Sequence, residues 1–171
     1  MNSSDLSQFL QLFTLTDTAA TERLTARLVL ALRDPAAYQA QYAEELAERG
    51  IEAELPAQEL RDVALIDALL SEDLAWESDW KESASEMAEG ISDILTRQQR
   101  PTALAIAEPT GRITPGPEQL DAVQDALEPL GLALVLFTLD SDSYPLGVVA
   151  DADAETARQL AAELGFTIAV Y

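Results

Sequence analysis

The chain has 171 residues, 48% of them hydrophobic, with 10 Lys and Arg against 31 Asp and Glu for a formal net charge of −21. That length and apolar fraction describe one globular domain and exclude a disordered chain, while the charge excludes nucleic acid and anionic membrane as partners, because both present phosphate. With neither Cys nor His there is no thiolate, imidazole base, catalytic triad or structural zinc site, so any catalysis falls to carboxylates, hydroxyls, arginines, the single lysine Lys81 or a hard metal held by oxygen.

The opening stretch, MNSSDLSQFLQLFTL, has no basic segment ahead of its apolar residues and carries Asp5, so it does not read as a signal peptide. The longest apolar run, LGLALVLF, is far short of the roughly 20 residues of a membrane span. The expectation is a cytoplasmic protein.

The first half is expected to be helical. Leu6, Phe9, Leu10 and Phe13 form one stripe at helical spacing, and Ala20, Leu24, Leu28, Ala31 and Leu32 a second. Asp34 and Pro35 suit the N-cap and first position of a third helix, with Tyr38, Tyr42 and Leu46 on one face and Gly50 as its stop. Pro56 opens a fourth, carrying Leu60, Val63, Ile66, Leu69 and Leu70. A fifth is expected to start at Asp79, which with Glu82 three residues on resembles a capping box. Its buried stripe would be Trp80, Ala84, Met87, Ala88, Ile91 and Leu95, and Glu82, Glu86, Glu89 and Asp93 would line one opposite edge. Like charges at that spacing cost about 0.2–0.5 kcal/mol per pair, and a merely solubilising surface would interleave Lys or Arg.

After Pro101 the pattern changes. TALAIAE, residues 102–108, reads as a strand, PTGRITPGP as a turn-rich loop, Pro117–Leu127 as a helix, and LALVLFTL as a strand apolar on both faces. Residues 144–150 alternate as a third strand, Asp153 caps a helix ending at Gly165, and FTIAVY closes the chain. The expected class is α+β in a single domain, 1–171: a helical half, 1–98, packed on an α/β half, 101–171, with β-α-β-β-α-β (ferredoxin-like) order. The two local helices would cover one face of the sheet and the amino-terminal helices the other. Pro145 sits awkwardly in that layout, since proline belongs at a strand start or edge.

Several residues are candidate chemistry. Asp140 and Asp142 fall at the hairpin between the second and third strands, where Asp and Ser satisfy turn backbone. As metal ligands they would have to recruit Asp79 or Glu82, because Asp151 and Asp153 lie a strand's length away, roughly 20 Å. Lys81 follows Glu77 by four residues, a spacing suited to an ion pair. Trp76 and Trp80 have core packing as their ordinary use; exposed beside the acidic edge, they would form an aromatic anchor of the kind that dominates interfaces. The glycines of PTGRITPGP lack phosphate-loop spacing.

DWK at Asp79, Trp80 and Lys81, and SDSY at Ser141 to Tyr144 followed by PLGVV, resemble the paired signatures of an uncharacterised bacterial family, a domain of unknown function. The resemblance spans residues 60–150. It implies a cytoplasmic bacterial protein, assigns no activity, cofactor or site residue, and suggests that the DWK start and the SDSY turn are neighbours in the fold.

The leading expectation is a non-enzymatic acidic protein that binds a basic protein partner, as an inhibitor, immunity-type protein or adaptor, through Glu82, Glu86, Glu89, Asp93, Trp76 and Trp80, with no cofactor. The alternative is a carboxylate-based divalent-metal-binding protein or hydrolase using Asp79, Glu82, Asp140 and Asp142.

Overall fold

A computed structural model describes residues 2–107 and 111–171. Two amphipathic helices open the chain, α1 (Ser3–Thr14) and α2 (Thr18–Arg33), capped by Asn2 and Asp17, whose side chains accept the Ser4 and Ala20 N–H groups. The helix expected to run on to Gly50 is interrupted at Tyr42 into α3 (Pro35–Gln41) and α4 (Ala43–Glu48). Next comes α5 (Ala57–Ser71), buried continuously from Asp62 to Leu69, so that it runs through the core rather than over it.

The sheet holds β1 (Trp76–Asp79), β2 (Leu132–Phe137), β3 (Ser143–Ala150) and β4 (Ile168–Val170) in the order β1-β3-β2-β4, every neighbouring pair antiparallel. Helices α6 (Ala84–Arg97), α7 (Pro117–Leu127) and α8 (Ala154–Leu164) complete the α+β fold.

Alternation along the two central strands assigns the layers. Leu132, Leu134, Leu146 and Val148 pack with Met87, Ile91 and Leu95 of α6 and Leu120, Val123 and Leu127 of α7. Ala133, Val135, Phe137 and Val149 face the other way, into a larger core with α1, α2, α5 and α8. On that side Gly147 leaves room for two rings, since a β-carbon there would fall 2.9 Å from Phe137 and 3.3 Å from Phe13.

Several expectations are corrected. The first strand is β1, not residues 102–108; of that stretch 102–107 has no regular secondary structure, its Leu104 and Ile106 packed on the α6–α7 core, and Glu108 lies outside the described residues, as do Pro109 and Thr110 of the turn-rich loop. Because β1 comes from residues 76–79, the sheet is not confined to an α/β half starting at 101. A ferredoxin-like sheet pairs its first and third strands in parallel at its centre; here those strands are antiparallel and the first is an edge. The amino-terminal helical layer is as expected, but α7 and α8 lie on opposite faces, α7 with α6 and α8 with α1.

Pro145 finds a permitted place in the interior strand β3. It faces Glu77 of β1, while pairing with β2 stops one residue away, at Leu136 opposite Leu146. The missing N–H of Pro145 coincides with the end of that ladder. Beyond it β2 continues with β4 alone, from Phe137 opposite Ile168.

Candidate functional site

Only part of the expected carboxylate edge lies on a helix. The real capping box is four residues downstream of the expected one: the Ser83 side chain accepts the Glu86 N–H and the Glu86 side chain accepts the Ser83 N–H, so α6 starts at Ala84. Glu82 therefore lies in the preceding turn, where its carboxylate accepts a hydrogen bond from the Ser78 hydroxyl. Trp80 is likewise outside the helix and its buried stripe. Glu86, Glu89 and Asp93 remain, all exposed on α6, and among the described residues no Lys or Arg pairs with them. Hydrogen bonds from the Ser83 backbone and then its hydroxyl hold the Glu86 carboxyl below its ordinary range.

The tryptophans are exposed rather than core residues, Trp76 at 36% and Trp80 at 38%. The Trp76 indole lies against α6 at Gly90, where a β-carbon would sit only 2.1 Å from its ring. Glu86 is four residues before Gly90 and Asp93 three after, so the ring emerges between them on one helix face. Trp80 carries the Lys81 ammonium 5.4 Å from its ring centre, while Glu77 pairs with Arg49 and not with that lysine.

Strand phase explains this division. The Trp80 N–H donates to the Asp142 carbonyl at 3.1 Å, continuing the register of Asp79 opposite Ser143. Trp76, Ser78 and Trp80 thus share the face towards α6, and Glu77 and Asp79 the opposite face. The same pairing makes neighbours of the DWK start and the SDSY turn.

Glu77 belongs to a network that sequence reasoning missed. Arg49, just beyond α4, bridges Asp67 of α5 at 2.6 Å and Glu77 of β1 at 2.8 Å, and Glu77 also accepts the Ser143 hydroxyl at 2.7 Å. Burial raises the Asp67 carboxyl, and the Arg49 hydrogen bond only partly opposes it. Burial also pushes Glu77 up, but hydrogen bonds from Arg49 and Ser143 outweigh it and leave that carboxyl below its ordinary range. Asp67 is the more deeply buried of the two and Glu77 alone has Ser143 as a second donor, which separates the directions of two acids on one arginine; among the described residues the second Asp67 oxygen, Oδ2, is buried without a partner. Behind them Arg27 donates to the Tyr38 hydroxyl, stacks 4.1 Å from the Tyr42 ring centre and pairs with Glu45. Burial pushes the Tyr38 hydroxyl up to about 12. The available signal was charge inside an apolar run: Asp67 in VALIDALL cannot face water if α5 is buried all round.

Asp140 and Asp142 form a hairpin tip. The Ser141 N–H donates to the Leu139 carbonyl, and the Ser141 hydroxyl accepts the Ser143 N–H and bonds the Ser143 hydroxyl at 2.8 Å. The tip walls an open groove of about 500 Å³ whose other side is Glu48, Arg49, Ile51 and Glu77. Asp79 caps its own turn by accepting the Lys81 N–H at 2.8 Å. Among the described residues no group of three or more carboxylates is close enough together to hold a metal ion, so Asp79, Glu82, Asp140 and Asp142 do not assemble into a cation site.

The site therefore belongs to an α+β protein whose antiparallel sheet is covered on both faces by helices, with an aromatic and acidic patch at the β1 edge. The model of one family, described as "Domain of unknown function (DUF6630)", matches residues 5–171, and the chain belongs to that family. The match extends well beyond the expected 60–150, taking in the amino-terminal helices and the carboxy-terminal strand. No curated protein and no solved structure matches the chain. No described helix is long and apolar enough to cross a membrane.

Proposed function

We propose that this protein is a non-enzymatic binding protein for a basic protein partner, acting in the bacterial cytoplasm as an inhibitor, immunity-type protein or adaptor. The observation that carries the reading is the company the α6 acids keep. Glu86, Glu89 and Asp93 stand exposed on one helix, with no Lys or Arg paired to them among the described residues, around an indole that is itself exposed. Arg23, Arg27, Arg49, Arg97 and Arg158 are meanwhile committed to Asp17, Glu45, Asp67, Glu72, Glu77 and Glu155. A net charge of −21 would steer a basic partner to this surface and reject acidic ones. An exposed tryptophan then supplies contact area at low entropic cost.

The test is affinity capture at low and high salt with the wild type and with the double variant Glu89→Lys/Asp93→Lys, which leaves the Ser83–Glu86 cap intact. A basic protein retained by the wild type at low salt, released as salt rises and lost by the variant is the expected result. Equal retention by both proteins would remove the acidic edge from the interface.

A further inference from the structure

Among the described residues β1 is an edge strand, and the backbone groups of its outer side alternate as those of a pairing strand do. The hydrogen bond from the Trp80 N–H to the Asp142 carbonyl fixes the antiparallel phase. Alternation then directs the backbone of Trp76, Ser78 and Trp80 inward to β3, and that of Glu77 and Asp79 outward. The Asp79 carbonyl accepts the Glu82 N–H at 3.0 Å, which leaves the Glu77 N–H and carbonyl and the Asp79 N–H as the open set. No strand pairs with that side among the described residues. A four-residue edge strand carrying Glu77 and Asp79 is guarded against indiscriminate pairing, so an added strand has to match that charge.

We infer that an extended, lysine- or arginine-bearing segment of the basic partner adds to β1 as a fifth strand. The inference rests on the partner reading above and names its mode of binding. Charge selects the occupant. Side chains of an added strand alternate between the two faces of the sheet. On one face they meet Trp76 and the α6 acids, where a cation can lie on the indole. On the other they meet Asp79 and the groove walled by Asp142 and Glu48, in which the one cation, Arg49, is already held by Asp67 and Glu77. A second copy of this chain would bring the same acids to the same edge, and its charge of −21 opposes that pairing. Main-chain hydrogen bonds supply affinity in strand addition, and the alternating side chains supply selectivity.

The probes are an eight-residue peptide alternating lysine and threonine, the same peptide N-methylated at alternate residues, and a glutamate–threonine peptide. Binding is followed at low salt by the emission of the two tryptophans and by amide hydrogen exchange. The expected result is binding of the lysine peptide alone, with exchange at the Glu77 N–H slowed at least tenfold. The N-methylated peptide, equal in charge but short of backbone donors, is expected to bind at least tenfold more weakly. Equal binding of both lysine peptides without protection of Glu77 overturns strand addition while leaving the acidic-surface reading in place. Failure of both to bind at low salt overturns the two together. A peptide-independent, concentration-dependent dimer that protects Glu77 assigns the edge to a second copy and also overturns the inference.

Discussion

The Trp76 ring and the Gly90 backbone are in contact, and the space that a side chain at position 90 would need is filled by the indole, with Cδ2 2.1 Å from where a β-carbon would sit. Gly90→Ala therefore sets two effects against each other. Alanine favours the α6 helix by about 1 kcal/mol over glycine. The displaced ring loses its seat, at a cost of about 1–3 kcal/mol. The expected outcome is a net loss of about 1 kcal/mol in urea unfolding, together with red-shifted tryptophan emission. Unchanged emission would contradict the contact.

Gln98 ties three elements together at the end of α6. Its buried amide donates to the Phe13 carbonyl and the Val148 carbonyl, each at 3.0 Å, joining α1, α6 and β3. Gln98→Leu keeps the bulk and strands both carbonyls. At about 1–3 kcal/mol for each of the two buried carbonyls left unsatisfied, a loss of about 2–6 kcal/mol is expected by denaturant titration. A loss under about 0.5 kcal/mol would mean that water reaches those carbonyls.

The two acids on Arg49 predict opposite pH slopes. Glu77 has its folded carboxyl lowered, so the stability it contributes is present above its ordinary value of 4.5 and is lost as pH falls through the folded value. Asp67 has its folded carboxyl raised, so the wild type loses stability as pH rises from the ordinary value of 3.8 through the folded one. Measured against pH, the advantage of wild type over Glu77→Gln should shrink on acidification, whereas Asp67→Asn should gain on the wild type as pH rises. Parallel curves for the two variants would refute the assignment.

The acidic edge carries a stability cost that can be read independently of binding. Glu89 and Asp93 are four residues apart on α6, a like-charge pair. Glu89→Lys converts it to an attractive one, and a melting temperature higher by about 1–2 °C at low salt is expected, fading as salt rises. A protein made more stable and less able to bind its partner is the outcome that marks a functional surface. A lower melting temperature would show that Glu89 has a structural contact.

Much of the helical layer was legible because its spacing is set by burial alone. Leu6, Phe9, Leu10 and Phe13 are all fully buried along α1, and Asp34 caps α3 as its side chain and Pro35 suggest. The sequence places the start of α6 too early because two consecutive patterns, Asp79 with Glu82 and Ser83 with Glu86, both satisfy the capping-box spacing; pairing with β3 holds Asp79 in strand geometry and decides for the second. Residues 102–107 alternate as a strand does, yet periodicity reports only which side chains are buried, and Leu104 and Ile106 are half-buried without any ladder. Of the candidate site, the acidic edge was readable in part and the exposure of both tryptophans only as an option. The Arg49 bridge joins residues eighteen and twenty-eight positions apart, which no local pattern encodes.

Proline at 145 has one more effect. Since β2 and β3 part company there, the hairpin tip is not zipped shut by its own strands; Glu77 and Trp80 fasten it instead, through the Ser143 hydroxyl and the Asp142 carbonyl. Edge strand and tip are thus mechanically one latch. Whatever loosens β1 takes both fastenings from the tip at once, and a molecule that clamps β1 holds both in place.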